Sequence, residues 1–114
     1  MGTFAAGQIV ILPFPFSDLT ARKYRPALLL AAVGKGDWIV CQITSNAYGD
    51  QRAIALRDKN FSEGGLRLES YIRPGKLFTA HESLFSDVAG ALTYTYLGCV
   101  RQAVVELLLG ESRI

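Results

Sequence analysis

The sequence has no apolar run long enough for a membrane span, no closely spaced cysteines, and no repeat or linker. A helix needs roughly 20 apolar residues to cross a bilayer, which excludes a transmembrane helix. The start, MGTFAAGQ, lacks the basic residues and long apolar stretch of a secretory signal, so we expect a cytoplasmic protein. Cys41 and Cys99 form no C-x-x-C pair, which favours two buried thiols in a reducing compartment over a disulfide.

Charge is also scarce. Charged residues make up 19% of the chain and hydrophobic residues 50%, which indicates a globular fold and not a disordered chain. The 114 residues fit a single domain over 1–114. A net charge of +2 is compatible with a nucleic-acid partner and equally ordinary for an enzyme or binding module. Cations cluster at 22–25 and 73–76, either as a phosphate-binding face or as a solvated exterior.

An apolar hairpin with polar ends is the first candidate site. PALLLAAV is apolar throughout and predicts a central strand, while Pro26 restricts Arg25 to extended geometry at its start. GKGD predicts a tight hairpin connection, and WIVCQITS the returning strand. In a regular hairpin Arg25 lies roughly opposite Thr44. The two polar ends of the hairpin therefore come together.

The other segments predict a small β-barrel. QIVILPFPF predicts a first strand, which Pro13 and Pro15 confine to an edge or a bend, and SDLTARKY predicts a mobile loop. AIALR, LRLESYIR and KLFTAHESLF predict further strands, separated by turns at fairly even spacing.

Near the end of the chain, the apolar residues recur at the spacing of a helix. Thr93 is a suitable N-cap and Gly110 a suitable stop, so we expect an amphipathic helix packed on the barrel. The positions with this spacing are Leu97, Val100, Val104, Leu107 and Leu108. The predicted fold class is mainly β with a C-terminal helix.

Four motifs in order along the chain resemble the MazF/PemK toxins of type II toxin–antitoxin systems. GQIVILPFPFSDL resembles the family's opening strand and loop, YRPALLL its R-P strand, CQITS its I-T-S/T strand end, and SYIRPGKLFTA a later loop and strand. The resemblance implies an SH3-like small barrel, the fold that CcdB toxins share, usually as a homodimer. It also implies a ribonuclease that cuts single-stranded RNA without metal or cofactor and is inhibited by a bound antitoxin.

The resemblance implies that Arg25 and Thr44 are the catalytic pair. Metal-free cleavage uses the ribose 2′-hydroxyl as nucleophile, so the protein must assist proton transfer and stabilise charge on the phosphate. A guanidinium can donate two parallel hydrogen bonds to a phosphate, and a hydroxyl one more. Residue type alone favours a surface arginine at position 25 and a strand-ending threonine at position 44, and the hairpin together with the family resemblance reverses that preference. Further RNA contacts are expected from Phe16, Tyr24, Gln42, Ser45, Arg73 and Lys76.

The acid–base partner is not identified. Some relatives carry an acidic residue beside the arginine that corresponds to Arg73, and here that position is Gly75. His81, the only histidine, is of the residue type used most for acid–base catalysis, but a lone histidine at a strand end is more often a surface or turn residue, and Glu69 is a further candidate.

Two binding functions stay open beside the nuclease. CcdB-like toxins act through a protein interface on the same scaffold, although a gyrase binder does not need an R-P strand paired with an I-T-S end. A degenerate family member would bind nucleic acid without cutting it.

Overall fold

Seven antiparallel strands form one curled sheet in the computed structural model, which describes residues 3–15 and 22–110. The strands are β1 (Gln8–Pro15), β2 (Arg22–Gly34), β3 (Asp37–Thr44), β4 (Ile54–Leu56), β5 (Phe61–Gly64), β6 (Ser70–His81) and β7 (Asp87–Leu92). Their order across the sheet is β4-β6-β3-β2-β1-β7-β5. Two short 3-10 helices, Asp58–Asn60 and Glu82–Leu84, precede β5 and β7, and helix α1 (Tyr94–Leu109) follows the sheet. The predicted fold class is confirmed.

The central strand β2 is apolar on both sides because both faces of the sheet are covered. Leu28 and Leu30 face α1 and pack with its buried Leu97. Ala27 and Leu29 enter a second core on the opposite face. That second core also contains Val10, Leu12, Phe14, Trp38, Val40 and Ala80. The prediction that PALLLAAV is a central strand is confirmed by the strand order, and within it the side chains of residues 27–30 alternate between two different cores.

The β2–β3 connection is a two-residue turn, as the sequence predicts. Lys35 and Gly36 have φ of 56° and 83°, the left-handed geometry that matches the twist of a hairpin. The ladder then pairs Leu29 with Val40 and Ala27 with Gln42.

Both prolines of β1 lie in its second half. Pro13 and Pro15 pair with β2, but β7 pairs with β1 only as far as Ile11. This half of β1 therefore has one edge outside the β7 ladder, where a missing N–H is tolerated. The predicted loop SDLTARKY lies mostly outside the described residues, and its last three residues belong to β2.

The two strands predicted from LRLESYIR and KLFTAHESLF are in fact the single strand β6, which is a correction. Cys41 pairs with Leu77 but Ile43 pairs with Ile72, so residues 73–76 bulge out opposite Gln42. The bulge contains Pro74, which could not donate to a regular ladder.

Strands β5 and β7 were not predicted because their composition is unfavourable for strands. They contain Gly64 and Gly90, and glycine is depleted in strands. The glycines are needed for close approach: a Cβ on Gly90 would lie 2.5 Å from the Glu63 carbonyl oxygen.

Helix α1 has the predicted ends. The Thr93 hydroxyl accepts a hydrogen bond from the Tyr96 amide at 3.1 Å, and Gly110 ends the helix with φ of 78°. The Tyr96 hydroxyl donates to the Ala55 carbonyl and so connects α1 to β4. Two predictions for this helix are wrong: Leu108, grouped with the packing positions, is 74% exposed, and Cys99 is an exposed thiol. Among the described residues no helix is long and apolar enough to span a membrane.

Candidate functional site

The open ends of β2 and β3 border a groove of about 350 Å³, here called the strand-end groove. Extending the pairing of Ala27 with Gln42 by two residues sets Arg25 opposite Thr44, and both line this groove. Tyr24 and Ser45, both exposed, lie beside them. The structure therefore brings together four of the predicted site residues.

Positive charge dominates the wall of this groove. The charged residues that line it in the described part of the chain are Lys23, Arg25 and Arg67. A concave surface with one sign of charge attracts the opposite charge, so the groove favours an anionic ligand.

Thr44 is 7% exposed. Its hydroxyl is hydrogen-bonded within the turn that follows β3. It accepts a hydrogen bond from the Asn46 amide at 3.2 Å and donates to the Asn46 carbonyl at 3.1 Å. To donate a hydrogen bond to a phosphate in the groove, the Thr44 hydroxyl must therefore break its hydrogen bond to the Asn46 carbonyl.

A second groove of about 420 Å³, here called the bulge groove, lies beside the β6 bulge. Gln42, Gly75 and the exposed Lys76 line it together with Phe14. Gln42 is two residues from Val40 along β3, so both side chains lie on the same face of the sheet, and the groove continues the packed face farther along the strand.

The Arg73 guanidinium is bound by other side chains of the protein. Its Nε donates to Asp50 Oδ2 at 3.0 Å and its Nη1 to Gln42 Oε1 at 3.4 Å. Its Cζ lies 5.8 Å from the centre of the Tyr48 ring, within the range of a cation–π contact. The Arg73 side chain is only 18% exposed, so it presents less charge to solvent than Lys76 does.

The Asp50 carboxylate is the acidic group nearest to this arginine. Burial alone would raise its pKa, but hydrogen bonds from Arg73 and the Arg52 amide, with both guanidinium charges, lower the pKa below its ordinary value of 3.8. Asp50 is therefore ionised at neutral pH, a strong ion-pair partner and a weak base.

Cys41 is a buried residue that is hydrogen-bonded to the β6 bulge and has a structural role. Its Sγ donates to the Arg73 carbonyl at 2.9 Å, and burial raises the pKa of the thiol to about 12. The thiol is thus protonated at neutral pH.

Of the two candidate bases from the sequence, only His81 lies away from the Arg25–Thr44 pair, while Glu69 stands between Leu68 and Ser70, which both line the strand-end groove. His81 pairs with Asp37 at the other end of β3, seven residues from Thr44, which is about 23 Å at about 3.3 Å per residue. The Glu69 carboxylate is engaged in an exposed ion pair of 3.1 Å with Arg57.

Sequence reasoning missed Asp50, and it did not include Tyr48 among the expected RNA contacts. In NAYGD both residues look like ordinary turn residues, and only the pairing of β3 and β4 with β6 brings this turn against Arg73. Phe16 lies outside the described residues.

No protein-family profile and no curated protein matches the sequence. Solved structures do match. The MazE-MazF crystal structure from Deinococcus radiodurans is 22% identical with a TM-score of 0.72, over 97% of this chain and 100% of that one. An endoribonuclease in complex with its cognate antitoxin, from a mycobacterial species, is 14% identical with a TM-score of 0.66, over 100% of both chains.

The toxin MazF-mt6 of Mycobacterium tuberculosis is a third similar structure. It is 16% identical with a TM-score of 0.69, over 92% of this chain and 98% of that one. The chain thus shares the fold of the MazF structures over nearly its whole length.

Proposed function

We propose that this protein is a metal-independent endoribonuclease that cleaves single-stranded RNA and acts as the toxin of a toxin–antitoxin pair. The observation that carries the proposal is the position of Arg25 opposite Thr44 at a cation-lined groove. The fold supports it, since similar structures are an endoribonuclease with its cognate antitoxin and MazE-MazF.

Cleavage proceeds by attack of the ribose 2′-oxygen on the adjacent phosphorus and departure of the 5′-oxygen. One proton leaves the nucleophile and one reaches the leaving group, which gives a 2′,3′-cyclic phosphate and a free 5′-hydroxyl. Charge accumulates on the phosphate oxygens, where Arg25 donates two charge-assisted hydrogen bonds. We assign Arg25 this electrostatic role because a guanidinium with a pKa above ~12 is a poor base.

Thr44 donates a further hydrogen bond to the same phosphate. Its hydroxyl reaches that position by rotating away from the Asn46 carbonyl, while the hydrogen bond from the Asn46 amide can be kept. Lys76 in the bulge groove holds the strand as a point charge, and Tyr24 and Ser45 contact the nucleotides beside the cleaved bond.

The partners proposed are single-stranded RNA, a cognate antitoxin and a second copy of the chain. Light scattering over working concentrations tests the homodimer, and a monomer throughout contradicts it.

The test of the activity is incubation of the purified protein in EDTA with a long unstructured RNA, followed by mapping of the cut positions and end groups. We expect discrete cuts with cyclic-phosphate ends. Arg25→Ala should lower the rate by roughly 10²- to 10³-fold, the usual cost of losing a donor to a charged transition state.

Two outcomes contradict the proposal. If the folded protein makes no cuts, the proposed nuclease activity is wrong. Salt-dependent RNA binding without product would then indicate a nucleic-acid-binding protein on this scaffold. Normal cleavage by folded Arg25→Ala removes the assignment of Arg25.

A further inference from the structure

The loop between β3 and β4, residues 45–53, follows Thr44 directly and is tightly ordered by its own hydrogen bonds. Asn46 Oδ1 accepts from the Tyr48 amide at 2.9 Å. The Asp50 amide donates to the Ala47 carbonyl at 2.9 Å, and Asp50 Oδ1 accepts from the Arg52 amide at 2.9 Å. The loop therefore holds a defined conformation beside the strand-end groove.

This conformation presents an aromatic ring to solvent. Tyr48 is 67% exposed and has φ of +55°, a left-handed geometry that a bulky residue adopts only where its surroundings impose it. The Arg73 guanidinium lies over the ring, 5.8 Å from its centre. A large apolar side chain is thus held in a costly backbone conformation and left mostly uncovered.

The guanidinium is itself fixed from two sides. Asp50 accepts from its Nε and Gln42 from its Nη1, and both partners are held in place, Asp50 by the loop and Gln42 by β3. Gln42 is two residues from Thr44 on the same face of β3, about 7 Å along the strand. The unit of Tyr48, Asp50, Arg73 and Gln42, here called the loop unit, therefore adjoins the Arg25–Thr44 pair.

We propose that the loop unit is a second RNA-binding element, in which Tyr48 stacks on an unpaired nucleobase and Asp50 is the positioning residue for Arg73. The inference rests on the proposed function for its ligand, single-stranded RNA. An aromatic ring backed by a guanidinium suits an unpaired base, because every base has a π face and the cation adds to the attraction. Arg52 and Lys76 add positive charge nearby, which suits the phosphates of the same strand.

The first test is binding of a short, unstructured 2′-O-methyl RNA, which cannot be cleaved, to the full chain. We expect Tyr48→Ala to raise Kd roughly 5- to 100-fold and Tyr48→Phe to leave it nearly unchanged, because stacking needs the ring and not the hydroxyl. The matched control is Tyr94→Ala, which removes a tyrosine that is 88% exposed at the start of α1. Equal Kd values for Tyr48→Ala and Tyr94→Ala overturn the stacking role.

The second test separates positioning from charge. Asp50→Asn removes one negative charge, which by itself tightens binding to a polyanion. We expect Kd to rise instead, roughly 3- to 10-fold, because the charge-assisted hydrogen bond that fixes Arg73 is lost. Glu63→Gln, which makes the same charge change at an exposed position on β5, should bind equally or more tightly. If Asp50→Asn behaves like Glu63→Gln, the positioning role is wrong.

These outcomes are distinct from those for the proposed function. A wild-type protein that cleaves RNA while Tyr48→Ala and Asp50→Asn bind like their controls overturns the loop unit alone. A wild-type protein that binds RNA through Tyr48 but does not cut it upholds the loop unit and removes the nuclease. A wild-type protein that does not bind RNA overturns both.

Discussion

Polar side chains gather at both ends of the β2–β3 hairpin, but they are used in different ways. At the turn end, His81 Nδ1 accepts from the Ser83 amide at 3.0 Å, and Trp38 Nε1 donates to Glu82 at 3.3 Å. These polar groups satisfy one another and complete a turn. At the open end, Arg25 and Thr44 line a groove where cations outnumber acids. Residue type alone does not identify a site; the side chains must also converge on space that a ligand can occupy.

The largest effect is expected at the open end, from a substitution that keeps the charge. Arg25→Lys should slow RNA cleavage about 100-fold, because an ammonium cannot donate two parallel hydrogen bonds to one phosphate. The measurement is the single-turnover cleavage rate of an RNA that contains a mapped cut. Arg57→Lys, at an exposed arginine paired with Glu69, is the control and should cleave normally. A normal rate for Arg25→Lys would mean that charge alone is sufficient there.

The turn end should affect folding and leave the chemistry unchanged. Gly36 has φ of +83°, and a Cβ there would lie 2.6 Å from His81 Nε2. Gly36→Ala should therefore lower the free energy of unfolding by about 1–3 kcal/mol, measured by urea denaturation. Cleavage per folded molecule should stay the same.

The matched control is Gly98→Ala in α1, where a Cβ meets nothing within 4 Å. Here alanine should stabilise the protein by about 1 kcal/mol, because glycine is a poor helix residue. Equal stability of the two variants would show that the Gly36 geometry imposes no cost.

The same contrast explains what the sequence could predict. The hairpin, its turn and the α1 caps follow from local signals: Gly36 in a tight turn, Thr93 before a helical pattern and Gly110 after it. The position of Arg25 opposite Thr44 could be predicted as well, because the register of a hairpin is set by its own turn. The Asp50–Arg73 ion pair joins residues 23 positions apart through β3, β4 and β6, and no local pattern encodes it.

A smaller effect is expected from acid. The pKa of Asp50 is lowered in the folded protein, so its ion pair adds stability above the ordinary value of 3.8, and that stability is lost as pH falls through the folded value. The difference in free energy of unfolding between wild type and Asp50→Asn should therefore be constant near neutral pH and shrink below pH 3.8. Urea denaturation at a series of pH values measures it. A difference that grows on acidification would mean that the carboxylate is not stabilised by Arg73.

The smallest effect is expected from the residue whose chemistry is best suited to acid–base catalysis. His81 is the only histidine. It lies on β6 beside Asp37, which is at the other end of β3 from Thr44. Its Nδ1 is engaged by the Ser83 amide, so its function in the fold is to complete the turn. The pH–rate profile of His81→Ala between about pH 5 and 8, where histidine titrates, should superimpose on that of the wild type. If His81→Ala lost an inflection in that range, His81 would take part in catalysis. The assignment of a structural role to the turn end and a catalytic role to the open end would then be wrong.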